Sequence, residues 1–407
     1  MAFQQGLSGL NAASRALDVT SNNVANASTV GFKGSSALFS DVYASAINGS
    51  AASAGGQVGI GTSASNVAQT FSQGGITATS NPLDLAINGG GFFRLSGQGS
   101  IAYSRNGQFD VDKDGYIVTT NDFRLTGYPA TATGTILPAT PVEMQVNTSD
   151  LQPQPTTTID LGLNLDSRNT TPANAFSSTD PSTYNASTSV TVFDSLGNDH
   201  ILTMYFRKAS GGVWDVYHEL DGGGATAFGA QLTFSGAGAL TAGATQNISL
   251  TIPASFGATT PQAVAIDFTG STQYGSGFGV NRTAQDGYAS GSLAGMSISE
   301  DGILQGRYSN GQSRNLGQVV LANFASPTGL ISLGANMWAE SPDSGQPLVG
   351  APGSGSLGQL ASGAVEESNI DLTAELVNMI TQQRAYQANA QSIRTQDQIL
   401  QTLVNLR

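Results

Sequence analysis

Chemistry needs titratable or metal-binding side chains, and this chain offers few. Its only histidines are His200 and His218, and it has no cysteine. A zinc site would need both histidines and a carboxylate, and both fall on predicted strands, so they read as structural. No Gly-x-Ser-x-Gly elbow offers a serine nucleophile. Asp110, Asp112, Asp114 and Gly115 match the opening of an EF-hand calcium loop. The twelfth position, where a bidentate Glu belongs, is Asn121, and the flanking residues alternate as strands do rather than as helices. A hairpin turned at Lys113-Asp114-Gly115 is the better reading. The glycines of "NGGGFFRL" lack the Gly-Lys-Ser/Thr of a phosphate loop and serve a tight turn or close packing. No catalytic, cofactor-binding or metal-binding residue is assigned, no cofactor is expected, and an enzyme is not expected.

Composition narrows the class further. With 28 acidic and 15 basic residues the net charge is −13, and charged residues make up only 11%. A nucleic-acid partner needs a basic face for phosphates, so none is expected. Glycine supplies 51 of the 407 residues. The total lack of cysteine fits a protein that works outside the cell and needs no disulfide. The start has no basic region followed by an apolar run, so no cleaved signal peptide is expected. No stretch approaches 18 apolar residues, so no membrane insertion is expected.

Two long helical patterns lie at opposite ends. Near the start, Phe3, Leu10, Leu17 and Val24 recur every seven residues, with Leu7 on the interleaved row that Ser14 and Ser21 then weaken. At the end, a stretch free of Gly and Pro carries Leu372, Met379, Tyr386, Ile393 and Leu400 at the same spacing. Leu376, Ala390 and Val404 sit on its second row, interrupted by Gln383 and Asp397. Ser368 with Asp371 forms a plausible N-cap. A lone amphipathic helix packed on its own domain would show such a stripe, and so would a coiled coil.

The middle tips the choice. Between about 40 and 360 the sequence reads as short alternating runs divided by Gly, Asn and Asp turns, which is an all-β pattern. Such a domain has no use for two long apolar stripes. The economical arrangement buries them on each other and on neighbouring chains, which requires the chain to go out and come back. The expected fold is therefore multidomain, with mainly β outer domains on paired N- and C-terminal α-helices that resemble a coiled coil. Residues 1–28 and 364–407 are expected to form the helical core, 29–71 and 359–363 a linker region of small residues, 72–145 and 286–358 an inner β domain, and 146–285 an outer β insert entered through a Pro-rich linker.

The stretch "SNNVANASTVGFKGS", 21–35, ends the first helix. Asn22, Asn23 and Asn26 can cap a helix and bond backbone locally, Gly31 permits a turn, and Phe32 and Lys33 follow. It reads as the joint that hands the chain from helix to β domain.

"SNNVANASTVGFK" and the C-terminal helix resemble the terminal signatures of the axial proteins of the bacterial flagellum, the rod and hook group. "IAYSRNGQFDVDKDG", "LTGYPA" and "LGQVVLANFASPTGL" resemble the hook members of that group, and the long insert at 146–285 favours hook over the shorter distal rod subunits. The resemblance implies a homopolymer: a short, curved, hollow tube acting as a universal joint between rod and filament, its inner wall made of the paired terminal helices. The helix-stripe residues would then form the polymer core. It also implies an extracellular location, export without a cleaved signal through the flagellar type III apparatus, and contacts with the distal rod, a hook cap and a hook-filament junction protein. A secreted β-rich adhesin with oligomerisation helices is the alternative of another class.

Overall fold

The computed structural model describes residues 2–43, 59–97, 99–147 and 149–405, with only the backbone described at 2, 43, 60 and 403–405. The chain forms two compact units. Unit 1 comprises 1–147, 295–306 and 313–407, and unit 2 comprises 148–294 and 307–312.

In unit 1, helix α1 spans Ala2–Ala25 and helix α2 spans Leu372–Asn405. The segment expected to be a linker holds strands β1, Ser35–Tyr43, and β2, Gly59–Gln69, paired antiparallel as a ribbon. The part of that segment at 44–58 lies outside the described residues. Small residues such as Ser, Ala and Thr left the ribbon without a hydropathy signal, and backbone pairing together with the neighbouring α1 supplies its order.

The chain goes out and comes back through two short antiparallel pairs. Leu85–Asn88 pairs with Gln359–Ser362, and Ile76–Ala78 pairs with Ala364–Glu366. Between them lies a β core whose aromatic heart is Phe92, Tyr103, Phe324 and Trp338, with Phe71 packed against it. The rings meet edge to face, Phe71 at 5.4 Å from Trp338 and Tyr103 at 4.8 Å from Phe324. At the EF-hand lookalike, Asp112 Oδ1 accepts from the backbone N–H of Asp114 and Tyr116, and Gly115 sits at φ +84°. That carboxylate is thus spent on closing a hairpin turn between Phe109–Val111 and Ile117–Thr119.

Unit 2 is built from two sheets. In one, Thr158–Asn164 lies between Gln262–Asp267, which runs parallel to it, and Gly279–Gln285, which runs antiparallel. The other is an antiparallel run of Ala186–Phe193, Asp199–Ser210 and Val213–Leu220, continued by Leu232–Phe234. Alternate residues of these strands, among them Leu202, Met204, Phe206, Trp214 and Val216, share one core with Leu161, Leu163, Ile266 and Phe268 of the other sheet. Trp214 is fully buried there, so Trp214→Ala is expected to cost unit 2 about 3–5 kcal/mol. Denaturant unfolding followed by hydrogen exchange of unit 2 peptides checks this; a loss below about 1 kcal/mol would contradict the shared core.

Candidate functional site: the paired termini and their junction

The two terminal helices pair antiparallel. A Cβ at Gly6 would lie 2.9 Å from Ile393 Cγ1, one at Gly9 would lie 2.9 Å from Asn389 Nδ2, and Asn23 bonds Glu375. On α1 the residues turned inward are Gly6, Gly9, Ala13, Ala16, Thr20 and Asn23, at alternating spacings of three and four. On α2 the half-buried face includes Met379, Gln382, Ala385, Asn389 and Ile393. The α1 side of the seam is therefore made of small residues, and the α2 side mixes polar and apolar ones.

This narrows the expectation that the apolar stripes bury on each other and on neighbouring chains, because within the chain they are covered only in part. Phe3 is 47% exposed, Leu376 44% and Leu400 54%, and Leu7, Leu372 and Tyr386 are exposed as well. Leu10, Leu17, Val24, Met379 and Ile393 are half-buried. Val404 lies outside the described side chains. The physical reason is close approach: Gly and Ala let the helix backbones come together, and a large side chain in that seam would hold them apart. Six stripe residues consequently stay exposed, joined by Val377, Ile380 and Ile399, which the sevenfold reading missed, while Ile393 of the same stripe packs over Gly6 in the seam.

The N-cap of α2 also differs from expectation. Asp371 Oδ1 accepts from the N–H of Thr373 at 2.9 Å and of Ala374 at 3.2 Å. Ser368 Oγ is buried and has no hydrogen-bond partner among the described residues.

The asparagine-rich stretch after α1 is tightly bonded. Asn26 Nδ2 donates to the Asn22 carbonyl and side chain, closing the helix end. Asn23, 2% exposed, treats Ser35 as a strand partner would: Nδ2 donates to the Ser35 carbonyl at 2.8 Å, and Oδ1 accepts from the Ser35 N–H at 3.0 Å. Gly31 sits at φ +70°, and a Cβ there would lie 2.5 Å from the Asn106 nitrogen, so both conformation and space demand glycine. Phe32 is half-buried. The Gly34 N–H donates to Asn369 Oδ1, whose amide reaches back to the Thr70 carbonyl. Trp338 Nε1 donates to Gln69 Oε1, and Asn336 donates to the Val30 carbonyl.

At the centre lies a buried ion triad. Lys33 Nζ donates to Glu366 Oε1 at 2.6 Å and to the Ser72 carbonyl at 2.8 Å. Arg105 Nη1 donates to Glu366 Oε2 at 2.9 Å, and its Nη2 donates to the Gly89 carbonyl. Glu366 Oε1 also accepts from the Gly74 N–H, and the Glu366 carbonyl accepts from the Gly31 N–H. Burial lowers the pKa of Lys33 and of Arg105, opposed in each by the bond and charge of Glu366. Arg105 and Glu366 carried no signal in the sequence, because each pairs with a residue far away in the chain.

The histidines of unit 2 hold structural posts. His200 lies between two carboxylates, 2.6 Å from Asp221 Oδ2 and 3.4 Å from Asp194 Oδ2. Burial pulls its pKa down, and the bonds to Asp221 and Asp194 outweigh that and raise it. His218 is buried against Phe228, and burial alone lowers its pKa. Among the described residues no group of three or more His, Asp or Glu is arranged to hold a metal.

Four flagellar families match segments of the chain. They are the flagella basal body rod protein family at 3–33, the flagellar hook protein FlgE/F/G D1 domain at 86–155, the flagellar basal body protein FlaE D2 domain at 164–288, and the flagellar basal body rod FlgEFG protein C-terminal family at 361–406. The chain is 43% identical over 416 residues to the flagellar hook protein FlgE of Salmonella typhimurium, covering 100% of both chains. It is 42% identical to that of Escherichia coli K12, again over the whole of both, and 31% identical to that of Borreliella burgdorferi, over 99% of this chain and 98% of the other. The crystal structure of the Helicobacter pylori flagellar hook protein FlgE2 shares the fold at a TM-score of 0.51 and 14% identity, covering 72% of this chain and 99% of that one.

Two predictions come from this geometry. Gly9→Leu places a side chain where Asn389 already lies and is expected to separate α1 from α2, read as loss of hydrogen-exchange protection in both helices; unchanged protection would contradict the seam. The second concerns pH. A histidine whose folded pKa is raised stabilises fully below its unfolded value, near 6.5, and loses that contribution as pH rises through the folded value. His218, with its lowered pKa, acts oppositely and weakens unit 2 as pH falls below about 6.5. His200→Gln should therefore lower the unfolding midpoint of unit 2 more at pH 6 than at pH 9, and an equal loss at both would refute the carboxylate clamp.

Proposed function

Because the chain belongs to the flagellar hook protein family, we propose that its copies join through their paired terminal helices into a curved hollow tube that passes torque from rod to filament. The protein is a structural hook subunit of the extracellular flagellum and not an enzyme. Full-length identity to hook proteins sets aside the adhesin and distal rod alternatives.

One observation carries the assembly reading: the helix pair leaves much of the apolar stripes of α1 and α2 exposed. Phe3, Leu7, Leu372, Leu376, Tyr386 and Leu400 are left for other surfaces to cover. Burying one such side chain is worth roughly 1.5–3 kcal/mol, so six give on the order of 10 kcal/mol before the costs of association. Neighbouring copies, each bearing the same stripes, are the natural cover. Leu10, Leu17, Val24, Met379, Ile393 and Val404 would complete the wall. The subunit would then divide into helical core, inner β domain and outer insert, with the β1–β2 ribbon inside the segment first expected to be a linker.

A universal joint must bend easily and still transmit torque. The helix walls would keep their apolar contacts, while the sparsely charged β surfaces of neighbouring copies make and break weaker ones. The bonds around Asn23, Gly31 and Lys33 argue against free tilting at the signature itself. At its ends the tube would meet the distal rod and a hook-filament junction protein, under a hook cap during growth, with subunits delivered by the flagellar export apparatus.

Leu376→Asp and Leu400→Asp test the reading better than a change at Ile393, which lies over Gly6 within the helix pair. Each variant should keep wild-type unfolding of both units yet form no tubes by negative-stain electron microscopy. Normal tubes from either would sink the helix-wall reading.

A further inference from the structure

The ion triad joins three parts of unit 1 that are distant in sequence. Lys33 ends the N-terminal signature, Arg105 belongs to the β core, and Glu366 belongs to the strand on which the chain returns. Among the described residues no other carboxylate lies within ion-pair distance of either cation.

The charge count gives the three partners unequal roles. Lys33 and Arg105 bring two positive charges and Glu366 one negative charge, with all three side chains at most 5% exposed. Remove Glu366, and two cations remain buried together with only carbonyl oxygens as partners, which is strongly unfavourable. Remove Lys33, and a neutral Arg105–Glu366 pair survives. The N-terminal signature therefore has no stable seat beside Arg105 until Glu366 is present. The Glu366 backbone adds to the dependence, because its carbonyl accepts from Gly31 and its strand pairs with Ile76–Ala78.

We propose that Glu366 is a positioning residue that makes seating of the N-terminal signature conditional on arrival of the C-terminal segment. Residues 31–34, 69–74 and 364–370 then lock onto the β core as one set. The signature acts in the folded subunit, since Asn23, Gly31 and Lys33 are buried and bonded there.

The test uses the purified full-length protein and hydrogen exchange of peptides covering 29–36, 69–79 and 362–370. Glu366→Gln is expected to speed exchange in all three by at least about tenfold while unit 2 peptides stay unchanged. Lys33→Met is expected to stay within about threefold of wild type, and Lys33→Met/Glu366→Gln to recover part of the protection lost in Glu366→Gln. Wild-type exchange in Glu366→Gln overturns the proposal. So does a Lys33→Met variant that is as open as Glu366→Gln or fails to fold. A second arm rests on the hook reading: cells carrying Glu366→Gln should release subunit at wild-type levels but build no hooks. Loss of release would overturn the assignment of the Glu366 role to the folded subunit. Normal hooks alongside opened peptides would count against a role for the lock in assembly and leave the hook family itself untouched.

Discussion

A single buried carboxylate governs this subunit. Glu366 offers one oxygen to Lys33 and the other to Arg105, and its carbonyl accepts from Gly31. Two cations can be held out of water only where an anion answers them. The chain must therefore return to its starting point before its beginning can be buried. Around this centre, Asn23 with Ser35 and Asn369 with Gly34 and Thr70 repeat the same logic with neutral groups. Each bond ties a residue near the N-terminus to a later segment. The out-and-back path thus follows from local electrostatic and hydrogen-bonding demands.

The helices solve a second problem by using two faces for two tasks. The seam of Gly6, Gly9, Ala13 and Ala16 contributes little apolar area, yet it brings α2 close enough for Asn23 to reach Glu375 at 3.1 Å. Larger residues there would strengthen the helix pair in isolation and push the axes apart, breaking that link to the junction. Several large apolar residues, Phe3, Leu7, Leu372, Leu376, Tyr386 and Leu400 among them, remain exposed within one subunit. The intrachain pairing is set by close approach, and in the proposed polymer the exposed apolar residues would be the reserve of hydrophobic energy for neighbouring copies.

Periodicity was legible and long-range pairing was not. The sevenfold recurrence of Phe3, Leu10, Leu17 and Val24, and of Leu372, Met379, Tyr386, Ile393 and Leu400, revealed both helices because large apolar residues dominate any hydropathy pattern. The turn at Asp112–Gly115 was legible because Asp-Gly chemistry is local. The small-residue seam escaped, since Gly and Ala carry no hydropathy contrast. The ribbon at β1 and β2 escaped for a similar reason. The cap fell on Asp371 instead of Ser368 because both are good capping types, and only the helix start decides between them. Arg105 and Glu366 are 261 positions apart, and no single-sequence pattern joins such a pair. The same holds for His200, whose partners Asp194 and Asp221 are assembled by strand register.

The polar interruptions in the stripes bear on how an exposed apolar surface stays specific. Ser14 and Ser21 on α1, and Gln383 and Asp397 on α2, stand at positions where an uninterrupted stripe would carry large apolar residues. An unbroken stripe would gain more on contact, but it would gain nearly as much after slipping one heptad along its neighbour. A polar residue at a few such positions penalises the slipped registers, where it would be buried against an apolar side chain, and leaves the correct register unharmed. Association is weaker per contact and better defined. In the proposed polymer that balance would be favourable. It costs affinity that many repeated contacts restore, and it removes the alternatives that a stronger stripe would stabilise equally.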